Sequence, residues 1–311
     1  MSRSLRVVGR ILMVLLVLLG AGIATVLTVF PRSETASDLS INLTPARIER
    51  GRYLVEHVAS CLDCHSDRDW NYYGGPVIAG TEGQGAPLRV LRPHVLSANI
   101  TPAALGDWTD GEIMRAISSG ISRDGRPLNL FMPYDTYARM TREDLISVVA
   151  YLRTLPPIDN TVPLPKESWP IRLLERLLPK PYRAPPEVDP SEPVAYGRYL
   201  ADISECSFCH GSDFADGREF NIPGTDQRSA SANLTPHPKN RVGTWSRENF
   251  VSVFKSFAPP GGREIPGTEI NTVMPWYRFA GMTEADLGAI YDYLRTIKPI
   301  EPGGRVRAQL N

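Results

Sequence analysis

The sequence predicts an all-α protein: one small helical module present twice in tandem, behind a single N-terminal membrane-spanning helix. Three observations carry this. The run Cys-x-x-Cys-His occurs as Cys61-Leu62-Asp63-Cys64-His65 and again as Cys206-Ser207-Phe208-Cys209-His210, and the two runs use all 4 cysteines. The same short motifs accompany each run in the same order. Near the start of the chain lies an uncharged apolar stretch that extends from Ile11 to Phe30.

That stretch follows Arg3, Arg6 and Arg10. Its length suits one membrane-spanning helix. The basic flank predicts a cytoplasmic N-terminus, with the rest of the chain beyond the inner membrane on the periplasmic side. A cleaved secretory signal is the competing reading. It calls for an apolar core of about 7–15 residues and a small-x-small cleavage site. Gly22-Ile23-Ala24 offers such a site, but the apolar run continues to Phe30, which favours an uncleaved single-pass anchor over residues 1–31. Residues 32–43 read as a polar tether.

The first module spans residues 44–160. Thr44 is a natural N-cap and Pro45 suits the first helical position. The helix that follows is expected to run into Cys61. Cys-x-x-Cys-His is the pattern of c-type haem attachment: two thiols add to the haem vinyl groups, and the adjacent His reaches the iron. A redox dithiol would need no His at that place, and no βαβ pattern surrounds either run. A shared zinc site would have to join two runs far apart in the chain and would leave both His unexplained. His65 supplies one iron ligand. Met132, well downstream in Phe131-Met132-Pro133, is the choice for the other, since a soft thioether suits haem iron and Pro133 stiffens the loop. His57 and His94 are the runners-up. Thr141 and Asp144 have cap spacing, and the closing helix after them stops at Pro156-Pro157.

The second module spans residues 191–303. Gly51-Arg52-Tyr53-Leu54 recurs as Gly197-Arg198-Tyr199-Leu200, and Ser97-Ala98-Asn99-Ile100-Thr101-Pro102 as Ser231-Ala232-Asn233-Leu234-Thr235-Pro236. Trp108-Thr109 matches Trp245-Ser246, Met132-Pro133-Tyr134 matches Met274-Pro275-Trp276, and Tyr151-Leu152-Arg153-Thr154 matches Tyr293-Leu294-Arg295-Thr296. Met274 follows His210 at nearly the spacing at which Met132 follows His65, whereas His94 and His237 do not fall at matching places. The repeat therefore favours His65/Met132 and His210/Met274 as axial pairs of two covalently bound haem c groups. Cys61, Cys64, Cys206 and Cys209 would be the attachment points. Trp108 and Trp245 read either as packing on a haem edge, with an indole N–H for a propionate, or as plain core aromatics. Asn99 and Asn233 are expected to orient loop backbone. Pro76 and Pro223, each a short way after its His, could offer a carbonyl to the imidazole Nδ1–H.

Between the modules, residues 161–190 form a linker. Pro is dense from Leu155 to Pro193, which predicts an extended, semi-rigid connection that sets the separation of the haems. Within it, Trp169 to Leu178 reads as a short amphipathic helix, packed on the modules or lying on a membrane or partner surface. Residues 304–311 are a tail. With 34 basic and 34 acidic side chains, the chain has no electrostatic footprint for nucleic acid.

Each module resembles a class I cytochrome c: an early Cys-x-x-Cys-His, a Met-Pro loop and a closing helix. The Ser-Ala-Asn, Met-Pro-[Tyr/Trp] and Tyr-Leu-Arg-Thr motifs are similar to those of cytochrome c subunits of membrane-bound alcohol, gluconate and related dehydrogenases. The resemblance implies a di-haem electron carrier. It would take electrons from a periplasmic dehydrogenase subunit of flavin, quinone or molybdenum type and pass them to quinone or a terminal oxidase. Such subunits commonly carry three haem modules, and this chain has two, so the particular partner is open. The alternatives are a di-haem enzyme of peroxidase or thiosulfate-oxidising type, which needs a displaceable ligand, and a general respiratory carrier.

Overall fold

The computed structural model describes residues 3–31, 35–90, 92–163, 167–215, 217–258, 262–266 and 269–303. The tail 304–311 and the side chain of His94 lie outside the described residues. Helix α1, Arg3–Val29, exposes large apolar side chains along its length, Leu16 at 68%. Among the described residues it is the one helix long and apolar enough to cross a membrane.

In the first half, α2 spans Pro45–Tyr53, and the Thr44 hydroxyl accepts a hydrogen bond from Arg47 N at 3.3 Å. The helix does not run on to Cys61. It widens into a π-turn over Leu54–Val58, and the chain breaks at Ser60 before the short helix α3, Cys61–His65. Further on come α4 (Pro102–Leu105), α5 (Asp110–Ser119), α6 (Tyr134–Tyr137) and the closing helix α7 (Arg142–Leu152). Helix α8, Trp169–Leu177, lies in the linker. The second half repeats the plan: α9 (Pro193–Ile203), α10 (Cys206–His210), α11 (Arg241–Thr244), α12 (Arg247–Lys255), α13 (Trp276–Phe279) and α14 (Glu284–Leu294). The protein is mostly helical, but each half adds a small antiparallel hairpin. In the first it is β1 (Pro87–Leu88) with β2 (Arg92–Leu96), in the second β3 (Glu219–Asn221) with β4 (Arg228–Ala230). Strands this short carry too little period-two alternation to stand out in sequence.

Why Gly opens both Gly-Arg-Tyr-Leu motifs is visible in the helix crossings. The closing helix of each half lies directly on the first helix of that half. A Cβ on Gly51 would overlap the Ser147 carbonyl of α7, and one on Gly197 would overlap the Ala289 carbonyl of α14. Backbone cannot yield as a flexible side chain can. Gly197→Ala should therefore cost about 1–3 kcal/mol, the range for overpacking, despite the better helix propensity of Ala. Denaturant unfolding of the variant checks this; an unchanged midpoint would contradict the close crossing.

The two halves meet directly, in a reciprocal arrangement. The Tyr53 hydroxyl donates to Asp286 Oδ2 at 2.5 Å and accepts from Thr283 N at 3.1 Å. Its repeat partner, the Tyr199 hydroxyl, donates to Asp144 Oδ2 at 2.6 Å and accepts from Thr141 N at 3.3 Å. Each first-helix Tyr thus reaches the capped start of the closing helix in the other half. This corrects the expectation for the linker: direct contact, not a Pro-rich spacer, sets the separation of the two halves. The linker itself packs down, with the Tyr182 hydroxyl donating to the Met140 carbonyl at 2.9 Å.

Candidate functional site

Each Cys-x-x-Cys-His run forms one helical turn, reached through a residue in the left-handed region: Ser60 at φ 57° and Glu205 at φ 61°. Neither is Gly, and such a conformation persists only where the surroundings hold it. In the first half one holding contact is the Tyr137 hydroxyl, which donates to the Ala59 carbonyl. That the same backbone strain stands at matching places, directly before Cys61 and Cys206, marks it as part of the turn's design. The sequence gives no signal of it.

His65 and His210 are buried at the ends of these turns. The Nδ1 of His65 lies 2.6 Å from the Ala98 carbonyl, and that of His210 lies 2.7 Å from the Ala232 carbonyl. A carbonyl can only accept, so Nδ1 carries the proton and Nε2 is left with its lone pair free for a metal. Burial lowers both imidazoles below their usual range, which favours the neutral, ligating form. The Pro76 and Pro223 carbonyls do not take this role. Pro76 O instead accepts from Asp69 N at 2.8 Å.

The repeated Ser-Ala-Asn-x-Thr stretch supplies the support. Ser97 Oγ donates to the Cys64 carbonyl at 2.5 Å, and Ser231 Oγ to the Cys209 carbonyl at 2.6 Å. The Ala carbonyl then meets the imidazole. Asn99 Oδ1 accepts from the Thr101 amide and hydroxyl, while its Nδ2 donates to the Ile158 carbonyl at 2.8 Å. Asn233 repeats this with Thr235 and Ile300. The stretch therefore ties the Cys-x-x-Cys-His turn to the chain leaving the closing helix. Asn99 and Asn233 orient loop backbone as expected.

Met132 and Met274 stand half-buried against the core in matching tight turns. Tyr134 N donates to the Met132 carbonyl at 2.9 Å and Trp276 N to the Met274 carbonyl at 2.8 Å, across Pro133 at φ −83°, ψ 53° and Pro275 at φ −81°, ψ 63°. These are inverse γ-turns, in which Pro pre-sets the central φ. The other repeated methionines, Met140 and Met282, are fully enclosed in the core. Trp108 and Trp245 are half-buried as well. Arg153 donates to the Trp108 carbonyl and Tyr291 to that of Trp245, and the Trp245 ring stands edge-on to Phe250 with centroids 6.4 Å apart. His57 packs edge-on to Tyr53, at 5.9 Å between ring centroids, and against Gly281 of the second half.

The cysteines are not poised as a redox pair. Burial pushes the Cys61, Cys64 and Cys206 thiols up to about 12 and Cys209 up to about 11, whereas a reactive dithiol needs a lowered value. Nor do they form one ready-made metal site: among the described residues no group of three or more His, Cys, Asp or Glu side chains is arranged to hold a metal ion by itself. The donor set does fit haem. Two thiols and an imidazole with a free Nε2 share one turn in each half, and a thioether in each half lies outside the deep core.

The two turns face one charged cluster that repeat-based reading misses. Arg278 of α13 is 2% exposed. Its Nε lies 3.0 Å from Asp63 Oδ2 inside the first Cys-x-x-Cys-His turn, and its Nη1 donates to the Val58 carbonyl at 3.2 Å. The Tyr277 hydroxyl also donates to Asp63. Arg278 and Glu205 act electrostatically on cysteines of both halves: Glu205, which precedes Cys206, on Cys61 and Cys64, and Arg278 on Cys61 and Cys206. Asp63 inside the first turn and Glu205 beside the second therefore share one charged cluster with Arg278 where the halves meet.

No protein-family model matches the chain. It is 29% identical over 281 residues to the fructose dehydrogenase cytochrome subunit of Gluconobacter japonicus, covering 84% of this chain and 54% of that protein. It is 27% identical over 282 residues to the cytochrome c subunit of a quinone-type alcohol dehydrogenase of Gluconacetobacter polyoxogenes, covering 83% and 57%. A diheme cytochrome c-type protein of Cereibacter sphaeroides matches over 125 residues at 33% identity, covering 36% of each chain. The relatives are thus cytochrome c proteins, and two of these three are subunits of dehydrogenases. The chain spans little more than half the length of those two dehydrogenase subunits.

Proposed function

We propose that this chain is a membrane-anchored di-haem cytochrome c that passes electrons between a periplasmic dehydrogenase subunit and quinone or a terminal oxidase. The observation that carries the reading is the paired geometry: two Cys-x-x-Cys-His turns, each with its imidazole held by the Ser-Ala-Asn carbonyl, sharing the Arg278, Asp63 and Glu205 cluster where the halves meet. Haem, when attached, supplies reversible one-electron chemistry. This chain's residues then do four things. Cys61 with Cys64, and Cys206 with Cys209, would hold the two groups. His65 and His210 would present Nε2, and Met132 and Met274 the opposing thioethers. Trp108 and Trp245 would pack beside the groups. The interface would keep the two at fixed separation, so an electron need not wait for domain motion. Helix α1 would anchor the assembly in the inner membrane with both halves on the periplasmic side. The names of the relatives support a dehydrogenase as partner.

Affinity purification of the full chain from its native membranes tests this. A dehydrogenase subunit should co-purify, and its substrate should reduce both haems of the complex. Recovery of the chain without a dehydrogenase, or haems that stay oxidised when substrate is added, would contradict the reading.

Glu205 gives the pH dependence. Desolvation between the halves raises its carboxyl to about 7, with Arg278 opposing and Asp63 and Asp135 adding to the rise. Above that value the carboxylate places a negative charge beside both attachment turns and favours the oxidised iron. The midpoint potentials should fall as pH rises through about 7, by less than the ~59 mV per unit of full one-proton coupling. In Glu205→Gln that slope should vanish while haem content is kept. A slope unchanged in the variant would remove Glu205 from the account.

A further inference from the structure

We propose that α8 is a membrane-surface helix that lies on the bilayer where α1 leaves it, apolar side down. The inference rests on reading α1 as a membrane anchor. The first observation is that α8 is turned the wrong way for water. Successive residues of a helix are about 100° apart. Trp169, Leu173, Leu174, Leu177 and Leu178 accordingly share one side, and Ile171, Arg172, Glu175 and Arg176 the other. The apolar side faces outward: Trp169 is 67% exposed, Leu174 49% and Leu177 42%. Glu175, on the charged side, is only 7% exposed. A helix bounded by the protein on one side and water on the other buries its apolar stripe. The reverse arrangement fits an apolar medium on the outer side.

The second observation says which medium. Arg176 Nη2 donates to the Leu27 carbonyl at 3.0 Å. Leu27 is in the last turn of α1, where backbone carbonyls lack helical partners and a cation is favoured. This contact places α8 at the level where the apolar run of α1 ends, which is the interfacial zone of a bilayer. The composition agrees: exposed Arg172 and Lys180 can meet lipid phosphates, while Trp and Leu enter the acyl boundary. Glu175, on the charged side, meanwhile rests on the protein next to the Met132 loop. Asn129 Nδ2 donates to Glu167 Oε1 at 3.1 Å, and the Leu130 amide hydrogen-bonds Glu175. Docking α8 on the membrane therefore sets the Met132 side of the first half toward the lipid surface.

The test uses the full chain in vesicles of phosphatidylcholine and phosphatidylglycerol doped with a lipid carrying a photoreactive diazirine on its acyl chain. Peptide mapping should find lipid adducts in α1 and in residues 169–178. In the double variant Leu174→Glu/Leu177→Glu the second set should be lost, with α1 adducts and haem content kept. Adducts in α1 alone in the unaltered chain would overturn the proposal and leave the anchor standing; a protein-covered helix gives this result. Persistence of the 169–178 adducts in the double variant would overturn it as well. Adducts in neither segment would remove the anchor reading and the proposal together.

Discussion

Replacing Met132 or Met274 with His should keep haem attached and lower the midpoint potential of one haem only, by on the order of 0.1–0.3 V within the ~0.8 V that axial ligands span. The sign follows from chemistry. A thioether is a poor donor to ferric iron and favours the reduced state, whereas an imidazole stabilises the oxidised state. The turn itself should survive, because it is made by backbone: the Met132 carbonyl accepts from Tyr134 N, and Pro133 sets φ. Met140 is the internal control. It is 1% exposed in the core, so Met140→Leu should leave both potentials in place. Potentiometric titration separates the two haems. If neither responds to Met132→His or Met274→His, these residues are not ligands.

Loss of Arg278 should be the most destabilising single change, about 3–5 kcal/mol for Arg278→Met, the range for removing one partner of a buried ion pair. Methionine keeps much of the volume, so the loss is one of charge. Asp63, whose side chain is 7% exposed, would then be a buried carboxylate held, among the described residues, by Tyr277 alone, within the first Cys-x-x-Cys-His turn. The Val58 carbonyl would lose its donor as well. Adding Asp63→Asn should restore a large part of the stability, because it removes the uncompensated charge. Denaturant unfolding of the single and double variants measures both effects. A cost below about 1 kcal/mol for Arg278→Met would show that the pair does not hold the halves together.

Much of the site is legible in sequence because its chemistry is local. Cys-x-x-Cys-His is contiguous, the Thr44 and Thr141 caps are read within one helical turn, and the Met-Pro turns announce themselves by recurrence. Five features are not legible, each for its own reason. The atoms that hold the two imidazoles are carbonyls of Ala98 and Ala232, and a backbone acceptor leaves no mark on residue type. The Ser-Ala-Asn repeat marks the place but not the atom. The left-handed positions before the first Cys are a serine and a glutamate, not the glycine that would have signalled them. Arg278 is hidden by the repeat, since the matching residue in the first half is Thr136. Its role belongs to the interface, where the halves are only approximately related. Tyr53 and Tyr199 recur in the motif, yet each finds its partner in the opposite half, a contact that periodicity within a module cannot show. The π-turn at Leu54–Val58, where Leu54, Val55 and Val58 are buried, likewise has no helix-stop residue to announce it.

The central claim is that this one chain holds two haems, one at each attachment turn. Intact-protein mass together with haem absorbance per chain measures that number directly. The account predicts two covalently bound haems in the unaltered protein and one in either Cys61→Ala/Cys64→Ala or Cys206→Ala/Cys209→Ala. A single haem in the unaltered chain, or haem that dissociates on denaturation, would contradict it.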